Sequence, residues 1–148
     1  MPAILLVGVT VLCYASSLRG GFVFDDQQLV LQNSPLLNIR TFNDVIAFGG
    51  GFRQLLFFTY GLNYYWSGLN TFSYHVVNVL LHAINVLLVY RIILAAAPPL
   101  RFPAFAGAAV FAAHSLFSSA VSYIAGRSSV LCGTFYFVAI LLFFKALD

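Results

Sequence analysis

Residues 72–96 read "FSYHVVNVLLHAINVLLVYRIILAA", with Arg91 near the end as the single formal charge. About 20 apolar residues in a helix cross a hydrocarbon core of about 30 Å. This run is long enough to do so, and it fixes the class as all-α integral membrane protein. The composition agrees. The 148 residues are 61% hydrophobic and 7% charged, with a mean hydropathy of +0.94. Soluble domains carry about a quarter charged residues, so this chain cannot cover itself for water. Its net charge of +3 is scattered, with no Lys/Arg run, and nucleic acid is excluded as a partner on that ground.

Working outward from residues 72–96, "AAAPPLR" ends the span, because paired prolines cannot continue a helix. The next uncharged run, 102–125, contains "AFAGAAVFAA", small residues that let helices approach closely. "GRSS" breaks it, and a last span follows at 129–147. Toward the N-terminus, 3–18 is apolar but about one turn short. It lacks a basic leader, so a retained first helix is expected rather than a signal peptide. Residues 1–148 thus read as a single multi-pass transmembrane module of about four helices. Residues 19–71 are expected to form a long first extracytoplasmic loop, with turn signals at "RGG", "NSP" and "FGGG". Inside the loop, "FRQLLFFTYGLNYYWSG" reads as an interfacial helix, its Tyr64, Tyr65 and Trp66 suited to the headgroup level. With that loop outside, Arg91, Arg101 and Lys145 face the cytoplasm, and Arg19, Arg40, Arg53 and Arg127 do not. The positive-inside rule does not favour this count; anions held by the outer arginines would account for it. Cys13 and Cys132 each sit in an apolar run and are expected as buried small hydrophobes rather than a disulfide.

Three groups of residues could carry chemistry. Asp25 and Asp26 stand side by side just past the first span. They suit a solvated turn or a helix cap, or else a general base or cation ligand where lipid meets water. His75, Asn78, His82 and Asn85, spaced three, four and three apart, share one helical face. Polar groups in a membrane face a bundle interior or a watery cavity, and helix–helix hydrogen bonding would also satisfy them. The two histidines are two turns apart, too far for one metal ion. Arg127, after a glycine at the end of a span, and Arg53, before the interfacial helix, could each grip phosphate with a fork of donors. Snorkelling toward headgroups is the alternative for both.

The ordered motifs "FVFDD…LQN", "FRQLLFFTYGLNYYWSGLNTFSYHVVNVLLHAINVLLVY" and "HSLFSSAV…IAGR" resemble the transmembrane and TPR-repeat mannosyltransferases. These are GT-C membrane glycosyltransferases related to the protein O-mannosyltransferases and to similar bacterial proteins. The resemblance runs from Gly20 to about Leu131. Where the family usually has "YRPL", this chain has "FRQL", keeping Arg53 and replacing proline by Gln54. Where it has "HP…TEAV…GR", this chain keeps His114 and Arg127 but carries Ser115 for proline and Ser119 for glutamate. The missing glutamate bears on acceptor or metal handling.

The resemblance implies the N-terminal part of a GT-C fold and an inverting transfer. The sugar, mannose by family, would pass from a polyprenyl-phosphate donor to an acceptor hydroxyl of a protein or glycan, on the extracytoplasmic face. The membrane would be a bacterial inner membrane or the endoplasmic reticulum. It implies Asp25 or Asp26 as catalytic base, with Asp25 favoured as first of the doublet and Asp26 left to orient the donor or hold a divalent cation, Mg or Mn. Arg53 and Arg127 would bind the donor phosphate, and His75 and His114 would support the site. Family members carry further spans and often a TPR region, which makes this chain the expected N-terminal part of a longer protein. A non-catalytic membrane subunit with a GT-C-like half is the alternative function.

Overall fold

The computed structural model describes residues 1–48 and 53–147. The turn expected at "FGGG" falls largely on 49–51, outside the described residues. Everything described is helix, turn or loop, with no strand among the described residues. Helix α1 (Pro2–Tyr14) starts with proline in its first turn, where the missing N–H costs nothing, and runs into a 3₁₀ turn at Ala15–Arg19. A π-helical turn (Gln27–Leu31) and three helices follow: α2 (Ser34–Leu37), α3 (Phe42–Phe48) and α4 (Gln54–Ser67). Helix α5 (Thr71–Ala96) opens on Asn70, whose side chain accepts from the Phe72 N–H at 3.1 Å. Then come α6 (Arg101–Ala113), the short α7 (Ser118–Ser122) and α8 (Arg127–Leu147).

Three stretches are long and apolar enough to cross a membrane: Pro2–Arg19, Thr71–Ala96 and Arg127–Leu147. At 1.5 Å per residue α5 reaches roughly 39 Å. The third expected span is different. Instead of one helix over 102–125, the chain breaks at His114, whose backbone is extended. Arg101–Ala113 and Ser115–Ser122 meet at a 45° bend. The His114 Nδ1 accepts from the Leu116 N–H at 3.2 Å. A side chain that caps a new turn competes with continuation of the old helix, and so the span bends there.

Helix α5 is the central post, packed against α8, α6 and α1. Leu6, Val86, Ala108 and Ala112 fill the space between α1, α5 and α6, small alanines allowing close approach. A second cluster lies at the other end. Val30, Leu36, Ile39, Val45, Leu56 and Tyr60 gather under the 19–71 stretch and meet Tyr74 and Ile124 there. Cys13 and Cys132 are free, but both are exposed on outer helix faces, not buried. An apolar run in a membrane helix need not turn inward, because lipid tails solvate it as well as protein does.

Candidate functional site

The site forms where the second cluster meets the bundle, around the turn Tyr123–Arg127 that joins α7 to α8. Gly126 shapes that turn: a Cβ there would run into the Ala120 backbone carbonyl. Three side chains from distant segments hold it, and a fourth, Asn85, holds the start of α8. Tyr60 Oη donates to Ile124 O at 2.9 Å, and burial pushes this phenol up to about 12, so it remains a donor. Asn78 Nδ2 donates to Tyr123 O at 2.7 Å and Val121 O at 3.3 Å. Asn85 Nδ2 donates to Val130 O at 2.9 Å, one turn into α8. Asp26, with no solvent exposure, accepts from the Ala125 N–H at 2.6 Å through Oδ1 and from the Val23 N–H at 3.1 Å through Oδ2.

Arg127 completes this clamp from within. It is fully buried, and each of its three nitrogens donates: Nε to Asn78 Oδ1 at 2.8 Å, Nη1 to Thr59 Oγ1 at 3.3 Å, Nη2 to Tyr74 O at 3.0 Å. The guanidinium also stands 4.7 Å from the Tyr60 ring centre and 5.7 Å from that of Tyr74, within cation–π range. The expectation that Arg127 grips a donor phosphate directly does not fit this burial, nor does snorkelling. Its charge is spent on two carbonyl oxygens, the Thr59 hydroxyl and two aromatic faces.

The other members of each pair point out. Asp25 is exposed and lines a pocket of about 300 Å³ with Val23, Phe24, Tyr123, Gly126 and Ser128, the buried Asp26 forming part of its wall. Asp25 and Asp26 are consecutive helical residues, set about 100° apart around the axis, and they follow Phe24 at φ +47°, a region that bulky residues rarely occupy. The offset turns Asp26 inward and leaves Asp25 and the 80% exposed Phe24 outside. Phe24 and Tyr123 meet edge-on at 6.1 Å. Arg53 is exposed at the start of α4 and lines a neighbouring pocket of about 330 Å³ with Gln54, Leu131 and Phe135. Ser128, in the first turn of α8, borders both pockets.

The histidines divide as well. His75 is buried beside the site, its Nε2 at 3.2 Å from Gly20 O, while His114 caps its own turn and borders neither pocket. Among the described residues no group of three His, Cys, Asp or Glu could hold a metal ion. Both Asp26 oxygens already accept backbone N–H groups, so the residues present do not fit a protein-built divalent-cation site. Sequence reasoning missed Thr59, Tyr60 and Tyr74 around Arg127, and Phe24 and Tyr123 at the pocket. Their only prior signal is aromatic character beside a charge.

The chain is 33% identical to protein O-mannosyl-transferase TMTC1 of Mus musculus over 159 aligned residues, covering 99% of this chain and 17% of that protein. It is 32% identical to protein O-mannosyl-transferase TMTC4 of Homo sapiens, covering 96% and 23%. A Caenorhabditis elegans protein O-mannosyl-transferase is 31% identical, again covering 96% and 23%. The chain therefore spans about a fifth of the length of these curated relatives. No family model and no solved structure matches it.

Proposed function

From the premise that this chain is homologous over nearly its whole length to the protein O-mannosyl-transferases of the TMTC group, we propose that it forms the catalytic end of an inverting GT-C glycosyltransferase. In this reading the 19–71 segment lies on the extracytoplasmic side of a bacterial inner membrane or the endoplasmic reticulum. Helix α4 rests at the interface there, and the module is the N-terminal part of a longer chain with further spans or a TPR region. The donor is a polyprenyl-phosphate mannose and the acceptor a protein hydroxyl.

The chemistry is a single displacement. Asp25 takes the proton of the acceptor hydroxyl as its oxygen bonds to the anomeric carbon. The bond from that carbon to the phosphate oxygen breaks, and its electron pair leaves with the lipid phosphate. Arg53, exposed in the adjoining pocket, meets the developing charge on that phosphate. Arg127 acts one layer behind, by holding the turn that carries Ser128. A cation brought by the donor phosphate would find Asp25 as the exposed carboxylate of this pocket; no step depends on it. The observation that carries the reading is the split doublet, with Asp26 locked by two N–H donors and Asp25 free in the pocket.

The test is transfer of radiolabelled mannose from a polyprenyl-phosphate donor to a Ser/Thr peptide by membranes containing the protein that carries this chain. Inverted product is the expected result. Donor binding without transfer would instead make the chain a non-catalytic membrane subunit.

A further inference from the structure

Two helical turns along α5 from His75, a second cavity of about 150 Å³ opens between α5, α6 and α8. Its walls include Phe111, Phe117 and Phe137, with His82 and Asn85 as polar members. Both are almost wholly buried, at 2% and 3% exposure. Each keeps one orphan atom: His82 Nε2 and Asn85 Oδ1 have no hydrogen-bond partner among the described residues. The amide orientation of Asn85 follows from its Nδ2 donating to Val130 O at 2.9 Å, which leaves Oδ1 as the free end. Polar atoms buried in this way are costly in a membrane protein, and of the polar stripe only Asn78 has both ends engaged, through its amide donors and the acceptor Oδ1.

We propose that this cavity is a binding site for a small neutral group bearing a hydroxyl, no larger than about one aromatic ring. Three features select that chemistry. His82 and Asn85 stand three residues apart on one helix face, roughly 5–6 Å between Cβ atoms, a gap that a single hydroxyl oxygen bridges. Asn85 Oδ1 only accepts, and His82 Nε2 is likewise an acceptor because the other ring nitrogen is engaged with the Ala112 backbone carbonyl, so the single proton of the hydroxyl goes to either atom in turn. No lining residue bears a formal charge, so a carboxylate or ammonium would enter without a counter-charge. The aromatic walls and the size suit a ring, since a cavity near 150 Å³ admits benzene. Ser129 lines both this cavity and the Asp25 pocket, so the two adjoin at the first turn of α8.

The test compares phenol with toluene, equal in size and different in the hydroxyl, at matched free concentrations in detergent micelles. Thermal unfolding of the protein that carries this chain is the readout, because a ligand of the folded state raises the midpoint. Phenol should bind about tenfold more tightly than toluene, the usual scale for satisfying buried polar atoms. His82→Leu or Asn85→Leu alone should lower that preference, and the two together should bring it within about twofold. Gly133→Leu should abolish both effects. A Cβ at Gly133 makes only ordinary contact, 3.4 Å from Asn85 Nδ2, and the rest of the side chain fills the cavity. The wild-type comparison stands even if a variant misfolds. Toluene matching phenol would make this a dry apolar gap, and no effect of either would mean that no ring enters. A phenol effect surviving in Gly133→Leu would put the binding elsewhere. Each of these overturns the proposal.

Discussion

Asp26 and Arg127 lie inside the molecule with every polar arm engaged, whereas Asp25 and Arg53, the same residue types, stand exposed on two adjoining pockets. The inner pair holds the Tyr123–Arg127 turn against α5 and α4. Among the described residues, neither side chain of the outer pair makes a hydrogen bond. Residue type therefore says little about role in a membrane site; what separates the two pairs is whether backbone donors and acceptors already consume their charge. The inner region should respond to substitution as a fold does, and the outer region as a reagent does.

The comparison breaks most visibly at Gly126. Gly126→Val sets a side chain against the Ala120 carbonyl, so the turn cannot close, and the protein should fail to yield a monodisperse peak on size-exclusion chromatography in detergent. Asp26→Ala comes next. It strips the part-buried Val23 and Ala125 N–H groups of their acceptor, at about 1 kcal/mol or more each, and equilibrium unfolding in detergent should record a loss of about 2 kcal/mol. Arg53→Ala on the rim should leave that unfolding curve within about 0.5 kcal/mol, as surface changes usually do.

The smallest effect lies away from both pairs. Hydrogen bonds from the Arg40 and Thr41 backbone N–H groups, with the Thr41 hydroxyl beside them, hold the Asp44 carboxyl below its usual range. A depressed folded pKa contributes stability above the unfolded value of about 3.9 and loses it as pH falls through the folded value. Wild-type protein should therefore lose slightly more thermal stability than Asp44→Asn when acidified below about pH 4. An equal loss in both proteins would remove Asp44 from this account.

Much of the scaffold could be read from residue order alone. The uncharged runs mark the long helices, and three-and-four spacing puts His75, Asn78, His82 and Asn85 on one face, which the structure turns toward α6, α7 and α8. The break at His114 was hidden because the sequence there has neither glycine nor proline; a histidine capping the next turn makes it. The division of the aspartates was hidden for a different reason. Asp26 is inside because the Ala125 N–H, 99 residues away, comes to meet it, and no local pattern around "DD" encodes that meeting. Arg127 is the same case, since its partners Thr59, Tyr74 and Asn78 come from two other helices.

The most direct test compares Asp25→Asn with Asp26→Asn in one detergent preparation of the protein that carries this chain, measuring mannose transfer and thermal unfolding together. The account predicts that Asp25→Asn lowers turnover by about 10²-fold or more, the scale of a lost general base, while its unfolding midpoint stays at the wild-type value. Asp26→Asn should lower the midpoint first. Near wild-type turnover in Asp25→Asn, or a fall in its midpoint with Asp26→Asn left stable, would contradict the division of the doublet into reagent and clamp.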